Sequence, residues 1–268
     1  MQLTTATDSV PVRPWLNCLN PFNTALLRGM RLLGSREPMW KVMEWAARES
    51  HVVVNVLRGG IAPTGPQLII GTDLSPAVGF ALLSQTRRDD VYFIGAPGWK
   101  RVGQIVSDRC LPAFTVPDFR TNPKEALWAQ FVYRFGYGID LAAVAKKNLE
   151  TILRAAEIVT KGGSLLLKPT GGYFGGVNNW REGVGLIMSN IGDVPAQVIF
   201  FRLQGDRREH LSRILLNPDF FRWLRKPLTV TLEFSDPIPL SEFKDESTTY
   251  KQINRRLKER YLELYGSL

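Results

Sequence analysis

Cysteine and histidine are scarce in this chain of 268 residues, with two of each. The cysteines, Cys18 and Cys110, stand far apart and lack the paired spacing of a zinc cluster or a disulfide framework. A reducing compartment is the simpler expectation. No uninterrupted apolar run reaches the ~18 residues that a membrane-spanning helix requires, and the N-terminus lacks the basic-then-apolar order of a secretory leader. These absences lead us to expect a cytoplasmic protein, either soluble or held at the surface of a membrane. No metal and no cofactor is expected, because no ligand cluster or cofactor fingerprint is legible.

Positive charge, by contrast, is plentiful. Lys and Arg number 34 against 25 Asp and Glu, a formal charge of +9, and the pI is about 9.7. That balance favours an anionic partner, whether a phospholipid surface, a phosphate-bearing ligand or nucleic acid. Hydrophobic residues make up 44% of the chain, enough for a sizeable core.

Residues 1–20 are polar and proline-bearing and read as an arm. From Pro21 to Ala47 apolar residues recur at helical intervals, interrupted at Gly34 and Pro38, which predicts two helices. Arg28, Arg31, Arg36, Lys41 and Arg48 lie between those apolar residues. The segment suits either a membrane interface or one side of a core. Residues 1–48 are thus expected to pack on or beside an α/β domain covering 49–268.

Two β-type runs follow, His51 to Leu57 and Gln67 to Ile70, and they read as paired or neighbouring strands. A helix over Ala77 to Ser84 and a strand over Val91 to Ile94 come next. Residues 95–139, rich in proline and aromatics, carry no clear signal. Farther on, Leu141, Ala145, Leu149, Ile152, Leu153 and Ala156 mark a helical face that ends at Lys161-Gly162-Gly163. Strands over Leu165 to Leu167, Gln197 to Leu203 and Leu228 to Phe234 alternate with helices over Glu182 to Ser189, His210 to Leu224 and Tyr250 to Leu264. The fold class expected is a single α/β domain with a mixed, mostly parallel sheet flanked by helices and an N-terminal helical segment.

From His51 onward the order of signals resembles the lysophospholipid and glycerol-phosphate acyltransferase family. Ala62-Pro63-Thr64-Gly65-Pro66-Gln67-Leu68-Ile69-Ile70 matches the family's approach to its Asn-His-x-Ser-x-x-x-Asp motif, and Thr72-Asp73-Leu74-Ser75-Pro76-Ala77-Val78 follows. By that resemblance Asp73 stands where the family has its catalytic histidine, and Val78 where it has the orienting aspartate. Lys168-Pro169-Thr170-Gly171-Gly172-Tyr173 corresponds to the family's Phe-Pro-Glu-Gly-Thr-Arg, with Thr170 replacing the glutamate and Tyr173 the phosphate-gripping arginine. Trp180-Arg181-Glu182-Gly183-Val184-Gly185 and the closing Asp236-Pro237-Ile238-Pro239 also match. The resemblance covers about residues 51–243 and implies a glycerolipid acyltransferase-like fold.

The replacements bear directly on the chemistry. Acyl transfer from a thioester to a hydroxyl needs a base near neutrality, and imidazole suits it. A carboxylate at Asp73, with an ordinary pKa near ~3.9, is a far weaker base. Val78 cannot orient it by hydrogen bonding. Tyr173 offers one neutral hydroxyl where a guanidinium would clamp phosphate in two places. Asp73 and Ser75 are therefore candidate catalytic positions by motif alone, Ser75 reading equally as a helix cap before Pro76. Lys168, Thr170, Gly171, Tyr173 and Arg181 are the candidate substrate-binding residues. Arg207, Arg208, Arg213, Arg222, Trp223 and Arg225 form a basic, aromatic stretch suited to an anionic membrane or simply to a solvated helix face. His51 and His210 read as strand-end or surface residues.

The leading expectation is a catalytically impaired member of the superfamily that binds a phospholipid or an acyl chain at the membrane. An active enzyme with a substituted site, using an acyl thioester, is the alternative. A nucleic-acid binder is the reading from another class, against which stands the lack of any nucleic-acid motif.

Overall fold

In the computed structural model the described residues are 37–49, 52–72, 76–101, 104–114, 127, 131, 133–134, 138–170, 180–204 and 227–266. They run α1 (Met39–Glu49), β1 (Val52–Arg58), β2 (Gln67–Gly71), α2 (Pro76–Thr86), β3 (Val91–Gly95), a 3-10 turn (Pro97–Arg101), α3 (Gln104–Arg109) and β4 (Cys110–Pro112). Then follow α4 (Leu141–Thr160), β5 (Ser164–Leu167), α5 (Gly183–Ser189), β6 (Gln197–Gln204), β7 (Leu228–Phe234), β8 (Ile238–Pro239), a 3-10 turn (Leu240–Glu242) and α6 (Tyr250–Tyr265).

All the strands join one sheet in the order β1-β7-β6-β2-β5-β3-β4, with β8 on β6. From β6 to β4 every pairing is parallel, whereas β7 and β8 run antiparallel to β6 and β1 is parallel to β7. The sheet is mixed and mostly parallel, as the alternating pattern predicts.

Side chains leave a strand on alternate faces, and here both faces are covered. Ile69, Phe93, Leu166, Ile199 and Phe201 pack with Val42, Met43 and Ala46 of α1, Leu82 and Leu83 of α2 and Val106 of α3. Leu68, Ile70, Leu165, Leu167, Val198 and Phe200 face Ala155 and Val159 of α4, Ile187 and Met188 of α5 and Leu257 and Tyr261 of α6. Burial on both sides is why β2 and β5 read as continuous apolar runs.

Two expectations need correction. β1 does not neighbour β2: it pairs with β7 at the sheet edge, three places away. Its Val53 and Leu57 are accordingly 46% and 61% exposed. In α4 the stripe drawn through Ala145, Leu149 and Leu153 faces outward, and the buried side carries Val144, Thr151, Ala155, Ala156 and Val159. Small residues there let the helix approach the sheet. The polar groups on that side are satisfied, Thr151 donating to the Pro112 carbonyl at 2.7 Å and Asn148 exchanging two bonds of 2.9 Å with the Phe114 backbone.

The Ala62-to-Pro66 turn, which carries part of the family resemblance, lies before β2 and so at the amino ends of the central strands. Gln67 donates to the carbonyls of Ala62 and Thr64. Arg88, 4% exposed, donates to those of Ala62 and Gly65. This turn is an anchor, far along the strand from where the chemistry is expected.

Candidate functional site

β2 and β5 are adjacent and parallel, with Ile70 paired to Leu167, so Gly71-Thr72 and Lys168-Pro169 leave the sheet side by side. From β2 the chain turns into α2 on one face, and from β5 it reaches α5 on the other. In open α/β sheets, ligands bind at the carboxyl ends of neighbouring strands whose connections part in this way. The two altered motifs of the sequence therefore begin at the same place.

Gly71 is required at this exit. A Cβ there would lie 2.2 Å from the Phe201 carbonyl oxygen and 2.7 Å from its ring. Next to it, Thr72 is 3% exposed, and its hydroxyl meets the Tyr261 phenol at 2.8 Å. Burial pushes the Tyr261 phenol above its usual pKa in spite of that hydrogen bond, which keeps it neutral.

On the β5 side, the Pro169 carbonyl accepts the Arg181 amide at 3.0 Å. Thr170 is 3% exposed, and its buried Oγ1 has no hydrogen-bond partner among the described residues. Trp180 donates its indole N–H to Asn254 of α6 at 3.2 Å, and its ring packs on Tyr261 at 5.4 Å. α5 lies tight on α6, since a Cβ on Gly185 would come within 2.2 Å of the Tyr250 carbonyl oxygen.

Lys168 follows β5 on the side of Cys110, whose thiol is pushed up to about 12 by burial although the Lys100 and Lys168 charges pull it down. Lys100, in the 3-10 turn after β3, donates to the Ser107 carbonyl at 2.7 Å. Two ammonium groups thus stand near the carboxyl ends of β3 and β5, where an anionic group would be drawn.

Of the sequence candidates, Lys168, Thr170 and Arg181 come together at the β5 exit, Thr170 buried and Arg181 exposed. Asp73, Ser75, Gly171 and Tyr173 lie outside the described residues, as do Arg207, Arg208, Arg213, Arg222, Trp223, Arg225 and both histidines. Sequence reasoning missed Tyr261, which reads as one more apolar residue on the last helix, and Lys100, which falls in the stretch without a clear pattern. The polar side chains described at the two exits, Thr72, Lys168, Thr170 and Arg181, supply hydroxyl, ammonium and guanidinium groups. Those can bind and orient a polar head. Among the described residues no cluster of His, Cys, Asp and Glu could hold a metal ion, and no helix is long and apolar enough to cross a membrane.

No family model matches the chain, and no curated protein matches it. Among solved structures it is similar to the 1-acyl-sn-glycerophosphate (LPA) acyltransferase PlsC from Thermotoga maritima. The identity is 14% and the TM-score 0.42, over 91% of this chain and 88% of that one. A likeness of that degree says nothing about individual site residues.

Proposed function

We propose that this chain is an acyltransferase-superfamily protein that binds a glycerolipid or an acyl chain at the crevice between the β2 and β5 exits, with its transferase activity impaired. One observation carries the reading. The segments that resemble the family's two catalytic motifs start from adjacent parallel strands, Ile70 level with Leu167, at the point where a bound ligand is expected. The replacements at Asp73, Val78, Thr170 and Tyr173 support the impaired half, because base, orienter, glutamate and phosphate clamp are altered together. Lys168 and Lys100 offer point charges to a phosphate in place of the missing guanidinium. Net charge of +9 suits work at an anionic membrane surface.

The deciding experiment incubates the full chain with oleoyl-coenzyme A and 1-oleoyl lysophosphatidic acid, and measures both binding and release of free coenzyme A. Binding of either compound with turnover no faster than the uncatalysed background is the expected result. Turnover abolished by Asp73→Ala would replace the impaired reading with that of an active enzyme using a substituted site. Binding of neither compound, together with steeply salt-dependent binding of RNA or DNA, would overturn the lipid reading altogether.

A further inference from the structure

We infer that Tyr261 of α6 is a positioning residue for the crevice, a single side chain that ties together the two chain segments leaving β2 and β5. The inference rests on the reading that the crevice is the site.

Tyr261 is fully buried. Its hydroxyl meets Thr72 at 2.8 Å, the first residue beyond β2. Its ring meets Trp180 at 5.4 Å, the residue at which the chain returns after the segment following β5. Phe200 at 6.0 Å and Tyr265 at 5.1 Å also pack edge-on against the ring, at 68° and 64°. The ring therefore has little freedom, and neither has the hydroxyl it carries. The same helix reaches the second exit independently, because Asn254 accepts the Trp180 indole N–H.

Packing alone does not account for the hydroxyl. A phenylalanine at 261 would keep the ring contacts, and the Thr72 hydroxyl would then have lost the partner it shows in the folded protein. Either hydroxyl can donate to the other, so the bond couples Thr72 to Tyr261 whichever carries the shared proton. Residue 72 immediately precedes Asp73 in the chain, so the direction in which β2 ends governs where the following segment begins. α6 itself is firmly set. Its first turn carries a reciprocal cap between Thr249 and Gln252, and Ile253 and Leu257 are fully buried.

The test compares the full chain with Tyr261→Phe, Thr72→Val, Thr72→Ser and the Tyr261→Phe/Thr72→Val double variant. Hydrogen exchange of the unliganded protein should show faster exchange in the Gly71-Thr72 segment of Tyr261→Phe, while Trp180-Arg181, which keeps its ring contact and its bond to Asn254, exchanges as before, as do α2 and β3. Affinity for 1-oleoyl lysophosphatidic acid should fall about fivefold in Tyr261→Phe and Thr72→Val, the size of one net hydrogen bond. The double variant should lose no more than either single one. Thr72→Ser, which keeps the hydroxyl, should bind as the wild type does. Exchange that is unchanged, or that rises evenly across the molecule, overturns the positioning role. If the wild type binds neither lysophosphatidic acid nor oleoyl-coenzyme A, it is the lipid reading that fails, and the exchange pattern still decides the role of Tyr261.

Discussion

The Arg88 guanidinium grips the Asp90 carboxylate with two hydrogen bonds, of 2.8 and 2.6 Å, while the guanidinium itself is almost wholly buried. Two further N–H groups go to the carbonyls of Ala62 and Gly65. The turn Ala62-Pro63-Thr64-Gly65-Pro66 is thus fastened to the start of β3. A motif that resembles part of a catalytic family is, in this molecule, a brace at the end of the sheet remote from the crevice.

Arg88→Met should cost about 3 kcal/mol in urea unfolding, since three acceptors lose charged donors at once. It should also change the acid limb. Burial raises the Asp90 pKa, but hydrogen bonding to Arg88 and the Arg88 charge lower it by more, and the net shift is downward. A carboxyl depressed in the folded state contributes stability above its unfolded pKa, and that contribution is lost as pH falls through the folded value. Stability measured from pH 6 to pH 2 should therefore slope less in Arg88→Met than in the wild type. Parallel slopes would show that the pair contributes nothing through Asp90.

Gly71→Ala should destabilise by about 3 kcal/mol, because the new methyl meets the Phe201 backbone and ring and β2 cannot retreat from between two strands. Gly60→Ala is the matching control. Nothing lies within 4 Å of a Cβ built there, and its φ is not in the left-handed region. It should be neutral or stabilising by up to about 1 kcal/mol. Equal denaturation midpoints for the two variants would mean that the close approach at Gly71 is not a constraint.

The alternation of strand and helix was legible because β2, β3, β5 and β6 are short apolar runs between helical periods, and buried parallel strands must look so. Pairing was not. β1 and β2 are close in sequence, yet β1 finds its partner in β7, and nothing local to either strand encodes that choice. The α4 face was misread because apolar residues span a wide arc of that helix. What selected the buried side was the small size of Ala155 and Ala156 and the ability of Asn148 and Thr151 to bond exposed backbone at β4. For the site, order along the chain located the two exits, since each follows a recognisable strand. The brace from Tyr261 could not be foreseen, because a tyrosine on the apolar stripe of a helix looks like core until its hydroxyl partner is known.

Cys110 should make the protein sensitive to alkali. An unfolded thiol loses its proton near pH ~8.5, whereas the buried one keeps it to about 12. Between those values the unfolded chain binds fewer protons, so stability falls as pH rises. The loss should reach about 3 kcal/mol at pH 10.5. Subtracting the pH profile of Cys110→Ala from that of the wild type isolates this contribution from the tyrosines and lysines. A flat difference between pH 8 and pH 11 would show that the thiol is not sequestered.

Thr170 offers the most direct link between stability and binding. Its hydroxyl is buried at the β5 exit and has no partner among the described residues, an arrangement that costs about 1–3 kcal/mol. Thr170→Val keeps the shape and removes the hydroxyl, so it should stabilise the unliganded chain by about 1 kcal/mol. If the hydroxyl is kept for a polar head group, the same change should weaken 1-oleoyl lysophosphatidic acid by about fivefold, because the ligand group then meets a methyl. Ser164 is the internal control. It stands at the amino end of β5, fully buried, its hydroxyl likewise without a partner among the described residues. Ser164→Ala should leave binding untouched and at most gain a little stability. A gain in stability at Thr170→Val with no loss of affinity would mark its hydroxyl as idle, like that of Ser164, and would move the head group away from the β5 exit.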